Sequence, residues 1–139
     1  MANGAMLARK TRLEVKDGEN WIQVKGFKDF SGLGGGSAAV VDVSDLDSDA
    51  KEKLIGLPDE GQISISLNYI ESDPGQQFLE EARLSGELID ARIVLRNNNG
   101  FAYSAAVLTF EKSGGVDAVL AGTVGMEISG LVTKVTVTP

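Results

Sequence analysis

The sequence predicts a mainly β protein, an antiparallel β-sandwich or barrel with one flanking α-helix. Three observations lead there. Apolar and polar residues alternate along most of the 139-residue chain, the period of two that a strand imposes. Turn residues punctuate these runs about every eight to twelve positions, the spacing of antiparallel sandwiches and barrels. Only one stretch carries the punctuation of a helix, and it is short.

The elements follow in order. Thr11, Leu13 and Val15 alternate with Arg12, Glu14 and Lys16, and Asp17-Gly18 turns the chain into a second strand over 21–28. Trp21, the single tryptophan, is expected to pack at the core or its rim. Residues 29–38, DFSGLGGGSA, predict a long loop. It lacks the Gly-Lys-Ser/Thr ending that a phosphate loop requires. It is either a plain linker or a segment ordered against a partner, and Phe27, Phe30 and Leu33 give the second reading its weight. Val40, Val41 and Val43 form a short strand. Asp45, Asp47 and Asp49 have the spacing of a calcium loop, but Ala50 and Gly56 stand where glycine and glutamate are needed. An acidic turn and a short helical piece over 48–55 are expected instead, ended by Leu57-Pro58-Asp59.

Ile63, Ile65, Leu67 and Tyr69 then alternate with Ser64, Ser66 and Asn68 in the clearest strand of the chain. Asp73 can cap a helix, Pro74 suits its first position, Gln76 completes a capping-box spacing, and Gly86 suits its stop. Phe78, Leu79 and Ala82 form its apolar packing stripe. After it, a strand over 88–95 meets the Asn97-Asn98-Asn99-Gly100 hairpin signal and returns over 101–110. A long strand over 116–128 is expected to break at Gly130 before a last strand through Val137.

Composition narrows the function. The chain has no cysteine and no histidine, so thiol chemistry, disulfides and the commonest general base and zinc ligand are excluded. The remaining combinations, serine with lysine or paired carboxylates, fall in turns such as Glu111-Lys112-Ser113 or on the polar side of the helix at Glu80-Glu81. Neither an enzyme nor a cofactor is expected. Thirteen basic against twenty acidic residues give a net charge of −7, which opposes a grip on nucleic acid. No apolar run approaches the roughly eighteen residues of a membrane span, so no membrane role is expected, and a soluble protein made in a cytoplasm is. What remains is binding or assembly, since open sheet edges demand partners and a head-to-tail interface can close a ring.

The block VDVSDLDSDAKEKLIGLPDEGQISISLNYIESDPGQQFLEEARLSGE resembles the major tail tube proteins of long, non-contractile-tailed phages of the lambda type. The marks are Asp42-Val43-Ser44, Leu46-Asp47-Ser48, Gly56-Leu57-Pro58-Asp59 with Gly61, and Asp73-Pro74-Gly75-Gln76-Gln77. Met126-Glu127-Ile128-Ser129-Gly130 before a Thr/Val strand is similar to that family's closing strand pair. The resemblance implies a single tail tube domain over 1–139, similar also to type VI tube proteins, without a C-terminal immunoglobulin-like domain. It implies a mobile N-terminal segment over about 1–10 and a mobile Gly-rich loop over about 27–37. Phe27, Phe30, Gly32, Leu33, Gly34, Gly35 and Gly36 are then candidate contacts between rings. The implied function is structural: hexameric rings stack into the phage tail tube through which DNA is ejected without specific binding. The implied partners are further copies of the chain, the tape measure protein, and the tail tip and tail terminator proteins. The implied location is the virion tail, after assembly in the host cytoplasm. A type VI secretion tube and a monomeric β-sandwich binding or decoration module are the alternatives.

Overall fold

The computed structural model describes residues 5–137. Nine strands and one helix follow in the order β1 (Arg12–Asp17), β2 (Asn20–Val24), β3 (Phe27–Ser31), β4 (Ser37–Asp42), β5 (Lys53–Asp59), β6 (Gln62–Asn68), α1 (Pro74–Ser85), β7 (Leu88–Val94), β8 (Asn99–Gly115) and β9 (Ala118–Thr136). Seven strands form one antiparallel sheet in the order β2-β1-β7-β8-β9-β6-β3, while β4 and β5 pair only with each other.

That strand order forces the sheet to roll. β2 and β3 are its two edges, yet only Lys25 and Gly26 separate them in the chain. The edges must meet at that corner. The bend is made possible by β8 and β9, whose pairing shifts register between Ala102 and Ser104, Val107 and Thr109, and Ser113 and Gly115. Such bulges sharpen twist and let a long strand turn from one layer to the next. The inward residues of both wings therefore share one core. Leu13, Val15, Ala91 and Ile93 from one wing meet Ile63, Ile65, Leu67, Val124 and Met126 from the other. Gly122 is buried where a Cβ would lie 2.9 Å from both Leu67 Cδ1 and Phe110 Cε1, so its missing side chain makes room for theirs.

The helix α1 closes the open corner. Asp73 caps it, accepting from Gln76 N at 3.0 Å, and Gly86 ends it at φ 72° with its N–H on Ala82 O. Leu79 and Ala82 are buried in the core, with Phe78 half-buried against it. The N-terminus is fixed in the β2–β3 corner by two polar side chains. Asp73 Oδ2 also accepts from Lys25 N at 3.1 Å. Gln76 is almost fully buried; its Nε2 donates to Lys25 O at 2.7 Å and Asn68 O at 2.8 Å, and its Oε1 accepts from Ile70 N at 2.9 Å. The capping-box spacing has thus been put to another use: Asp73 N donates to Ile70 O, and Gln76 ties the helix to the sheet. Close approach demands the flanking glycines. A Cβ on Gly26, at φ +83°, would stand 2.4 Å from Asn68 O, and one on Gly75 would stand 2.7 Å from Gln23 O.

Three expectations are corrected. The loop over 27–37 is shorter, because 27–31 is strand β3, paired with β6. Residues 48–55 are not helical: a turn leads into β5, whose apolar residues pair with those of β4. The chain does not break at Gly130, which at φ +86° sits inside β9 where that strand carries extra residues opposite β8.

Two measurements check this account. Gln76→Leu keeps the bulk but strips two carbonyls and one amide of their partners, and urea denaturation should show a loss of roughly 3–5 kcal/mol. The hydroxyl of Tyr103 is buried without a hydrogen-bond partner among the described residues, and burial raises its pKa above the ordinary 10.0. Tyr103→Phe should therefore stabilise the protein by about 1 kcal/mol at neutral pH. A tyrosine whose folded pKa is raised holds its stability below the unfolded value and loses it as pH climbs toward the folded one. The advantage of Tyr103→Phe should therefore widen above pH 10.0, the ordinary value.

Candidate functional site

The β4–β5 ribbon is the feature the core does not explain. Its cross-strand pairs include Val40 with Ile55 and Val41 with Leu54. Neighbouring residues on a strand point to opposite faces, so both faces of the ribbon are apolar. All four side chains are exposed, with Leu57 at 90% and Leu46, at the tip, fully so. Two strands alone are marginally stable in water, and a cluster of exposed aliphatic residues marks an interaction surface. The root is tightly set, since a Cβ on Gly36 would stand 1.9 Å from Asp59 O and one on Gly32 2.5 Å from Gln62 O. Gly32 and Gly36 therefore serve close packing at the arm's base.

The tip is closed by its own hydrogen bonds. Glu52 N donates to Ser44 Oγ at 2.6 Å, and Asp45 Oδ1 accepts from Asp47 N and Ser48 Oγ at 3.0 and 3.2 Å. Asp42 is held below the usual carboxylate range by the hydrogen bond from Ser44 N, so it stays ionised. Among the described residues no three His, Cys, Asp or Glu side chains gather to hold a metal, and no helix is long and apolar enough to cross a membrane.

The loop residues singled out in the sequence divide into two groups. Phe27, Phe30 and Leu33 are half-buried against the core, and the two phenylalanine rings stack at 5.8 Å. A bulge between Phe27 and Asp29 puts them on the same side of β3 despite their spacing of three. Gly34 and Gly35 are exposed, and a Cβ at Gly34 would meet only open space. What sequence reasoning missed is the arm itself. Its signal was the run of aliphatic residues on both sides of the acidic turn.

The outer faces of the two wings differ in charge. Behind Ile63, Ile65 and Leu67, the outward positions of β6 are Gln62, Ser64, Ser66 and Asn68. Beside them lie Thr123, Gly125 and Glu127 of β9 and Thr109 and Glu111 of β8. These residues are small or polar, and the only charges among them are carboxylates. Lys112 belongs to the other side, where it pairs with Glu80 of α1 and lies 4.6 Å from the Phe110 ring centroid. On the second wing Glu14 joins Arg12 and Arg92 at 2.9 and 2.6 Å, and the Arg92 guanidinium stacks 4.0 Å from the half-buried Trp21 ring. Cations are thus gathered on one wing and absent from these positions of the other.

The chain matches no protein-family model, and no curated protein matches it. Solved structures do match. A chain of the native gene transfer agent virion superposes with a TM-score of 0.73 at 14% identity, covering 95% of this chain and 100% of that one. A chain of the SPP1 tail tube gives 0.68 at 15%, covering 97% and 81%. This is the tail-tube fold. A chain of the sheath–tube complex of the extracellular contractile injection system PVC gives 0.73 at 15%, covering 98% and 95%. The expected mainly β architecture with one helix is therefore the one found, and it recurs in chains of the SPP1 tail tube and of a contractile injection system.

The division between core and arm has a direct check. Leu46→Ser, Ile55→Ser and Leu57→Ser together should change monomer unfolding by no more than about 0.5 kcal/mol, read at a concentration where the protein is monomeric. Ile65→Ser, at a fully buried position, should cost several times more.

Proposed function

We propose that this chain is the structural subunit of a phage tail tube, in which hexameric rings stack into a conduit for DNA. The observation that carries the reading is the exposed, two-faced apolar arm on a tail-tube fold. A tail in one of the superposed structures, the empty gene transfer agent particle, was refined with C6 symmetry, which supports six copies per ring here. The role is mechanical. Edge strands of neighbouring copies join into a continuous wall, and the arm bridges to the next ring with Phe27, Phe30, Leu33 and the 32–36 link at its base. A tail tip would nucleate the tube, a tape measure protein would set its length and a terminator would close it. The place of action is the virion tail, after assembly in the host cytoplasm.

In this reading the β6–β9–β8 face lines the lumen. Its hydroxyls and amides are neutral and the carboxylates of Glu111 and Glu127 repel phosphate, so these positions offer no cation to hold it. A basic wall would bind DNA through counterion release and stall it. A surface that repels phosphate lets the polymer slide.

Negative-stain electron microscopy across a concentration series tests the reading. Rings or hollow tubes from the wild type, and single particles from the Leu46→Ser, Ile55→Ser, Leu57→Ser variant, are the expected pair of results. A wild type that never assembles, even when seeded with tail tips, would overturn it. Glu111→Lys with Thr123→Lys should still assemble but should co-sediment with double-stranded DNA. That retention should fade between about 50 and 200 mM salt, whereas wild-type tubes should carry no DNA at either concentration.

A further inference from the structure

A groove of about 510 Å³ runs between the N-terminal segment and β3. Its floor includes the stacked Phe27 and Phe30, and Arg9, Lys10 and Lys28 line it with a single carboxylate, Asp29. None of these three cations has an ion pair among the described residues. The volume lies in the range of sites that take a small ligand or several side chains. The arm tip has the opposite character. Leu46 is fully exposed, with Asp45, Asp47 and Asp49 around it. Over 42–53 there are five carboxylates against two lysines.

We infer that the tip of one copy's arm docks in this groove of the next copy, with Leu46 on the Phe27–Phe30 stack and its aspartates against Arg9, Lys10 and Lys28. The inference rests on the tube reading and names the contact that builds it. Complementary charge commits the groove to a second copy. An acidic tip is repelled by most of a chain of net charge −7 and attracted to this basic recess. Among the described residues nothing covers the Leu46 side chain, which is fully exposed. Six residues of strand carry it about 20 Å from its root, far enough to reach a neighbour. Tip and groove are different surfaces, so the contact is head-to-tail and propagates. Most of its strength comes from the apolar contact, and the exposed charges choose the register and are screened by salt.

A charge exchange tests the pairing. The first variant carries Asp47→Lys and Asp49→Lys, whose carboxylates make no hydrogen bond that closes the tip. The second carries Arg9→Glu, Lys10→Glu and Lys28→Glu. Circular dichroism should show both folded, and sedimentation velocity should show the assembly concentration of each alone raised about tenfold or more. Mixed in equal amounts they should assemble at the wild-type concentration, because each arm then finds a groove of opposite sign. Normal assembly by either variant alone, or a mixture no better than its components, would overturn the pairing and leave the tube reading intact. A wild type that stays monomeric throughout, even when seeded with tail tips, would remove both.

Discussion

Gln76 holds the corner on which the whole sheet depends. A seven-stranded sheet whose two edges are separated by Lys25 and Gly26 can close only if something satisfies the backbone groups where the edges meet but do not pair. One buried amide does this with three hydrogen bonds, two to carbonyls on opposite sides of the corner and one from Ile70 N. Buried backbone groups left unpaired are costly, so the helix start acts as a fastener. Gly26 and Gly75 are there because no Cβ fits between the parts being fastened. The Asp-Pro-Gly-Gln run is therefore one device: cap, first turn, close approach and lock.

The rolled sheet also explains why so much apolar surface stays outside. The core draws on both wings and is filled by Leu13, Val15, Ile63, Ile65, Leu67, Leu79, Met126 and their neighbours. The β4–β5 ribbon joins none of this and pairs only with itself. Its stability in the monomer rests on cross-strand contacts, the hydrogen-bonded tip and the contact of β5 with β9. An element with both faces apolar gains far more by being covered than by staying in water. The fold therefore separates two tasks. The barrel-like body buries its core within one chain, and the arm leaves both of its faces exposed.

Much of the body was legible in the sequence. Leu13 and Val15, Ile63 to Leu67, and the Asn97–Gly100 hairpin obey strict alternation or turn chemistry, and α1 has a cap, a proline and a glycine in their usual places. The failures share a cause, which is that tertiary context replaced the local period. Phe27 and Phe30 are three apart, which reads as loop until a bulge aligns them on one face. Leu54, Ile55 and Leu57 show no alternation because neither face of β5 is buried. Gly130 looks like a stop but is the left-handed residue that lets β9 carry extra residues past β8. The spacing of Gln76 predicted a capping box, and only the corner beneath the helix could show that its amide has nearer partners in the sheet. For the candidate site, the Gly-rich stretch drew attention to the arm's root, while the exposed aliphatic residues lie beyond it.

The distribution of charge is the last step from fold to use. The two wings are built by the same alternation, and both bury aliphatic residues inward. Outward, one spends its positions on Arg12, Glu14, Arg92 and Trp21, which bind one another in a fixed cluster. The other presents serine, threonine, glycine and two glutamates along β6, β9 and β8. Short side chains on such a face project little, and carboxylates keep phosphate away. Gly125 and Asn68 on this face are poor choices for a strand on propensity alone. Gly125 donates its N–H to Thr109 Oγ1 at 3.1 Å, and a Cβ there would stand 2.7 Å from that hydroxyl. A face that is low, polar and free of cations at these positions repels a polyanion rather than gripping it, while the arm leaves Val40, Val41, Leu54 and Ile55 uncovered in the monomer.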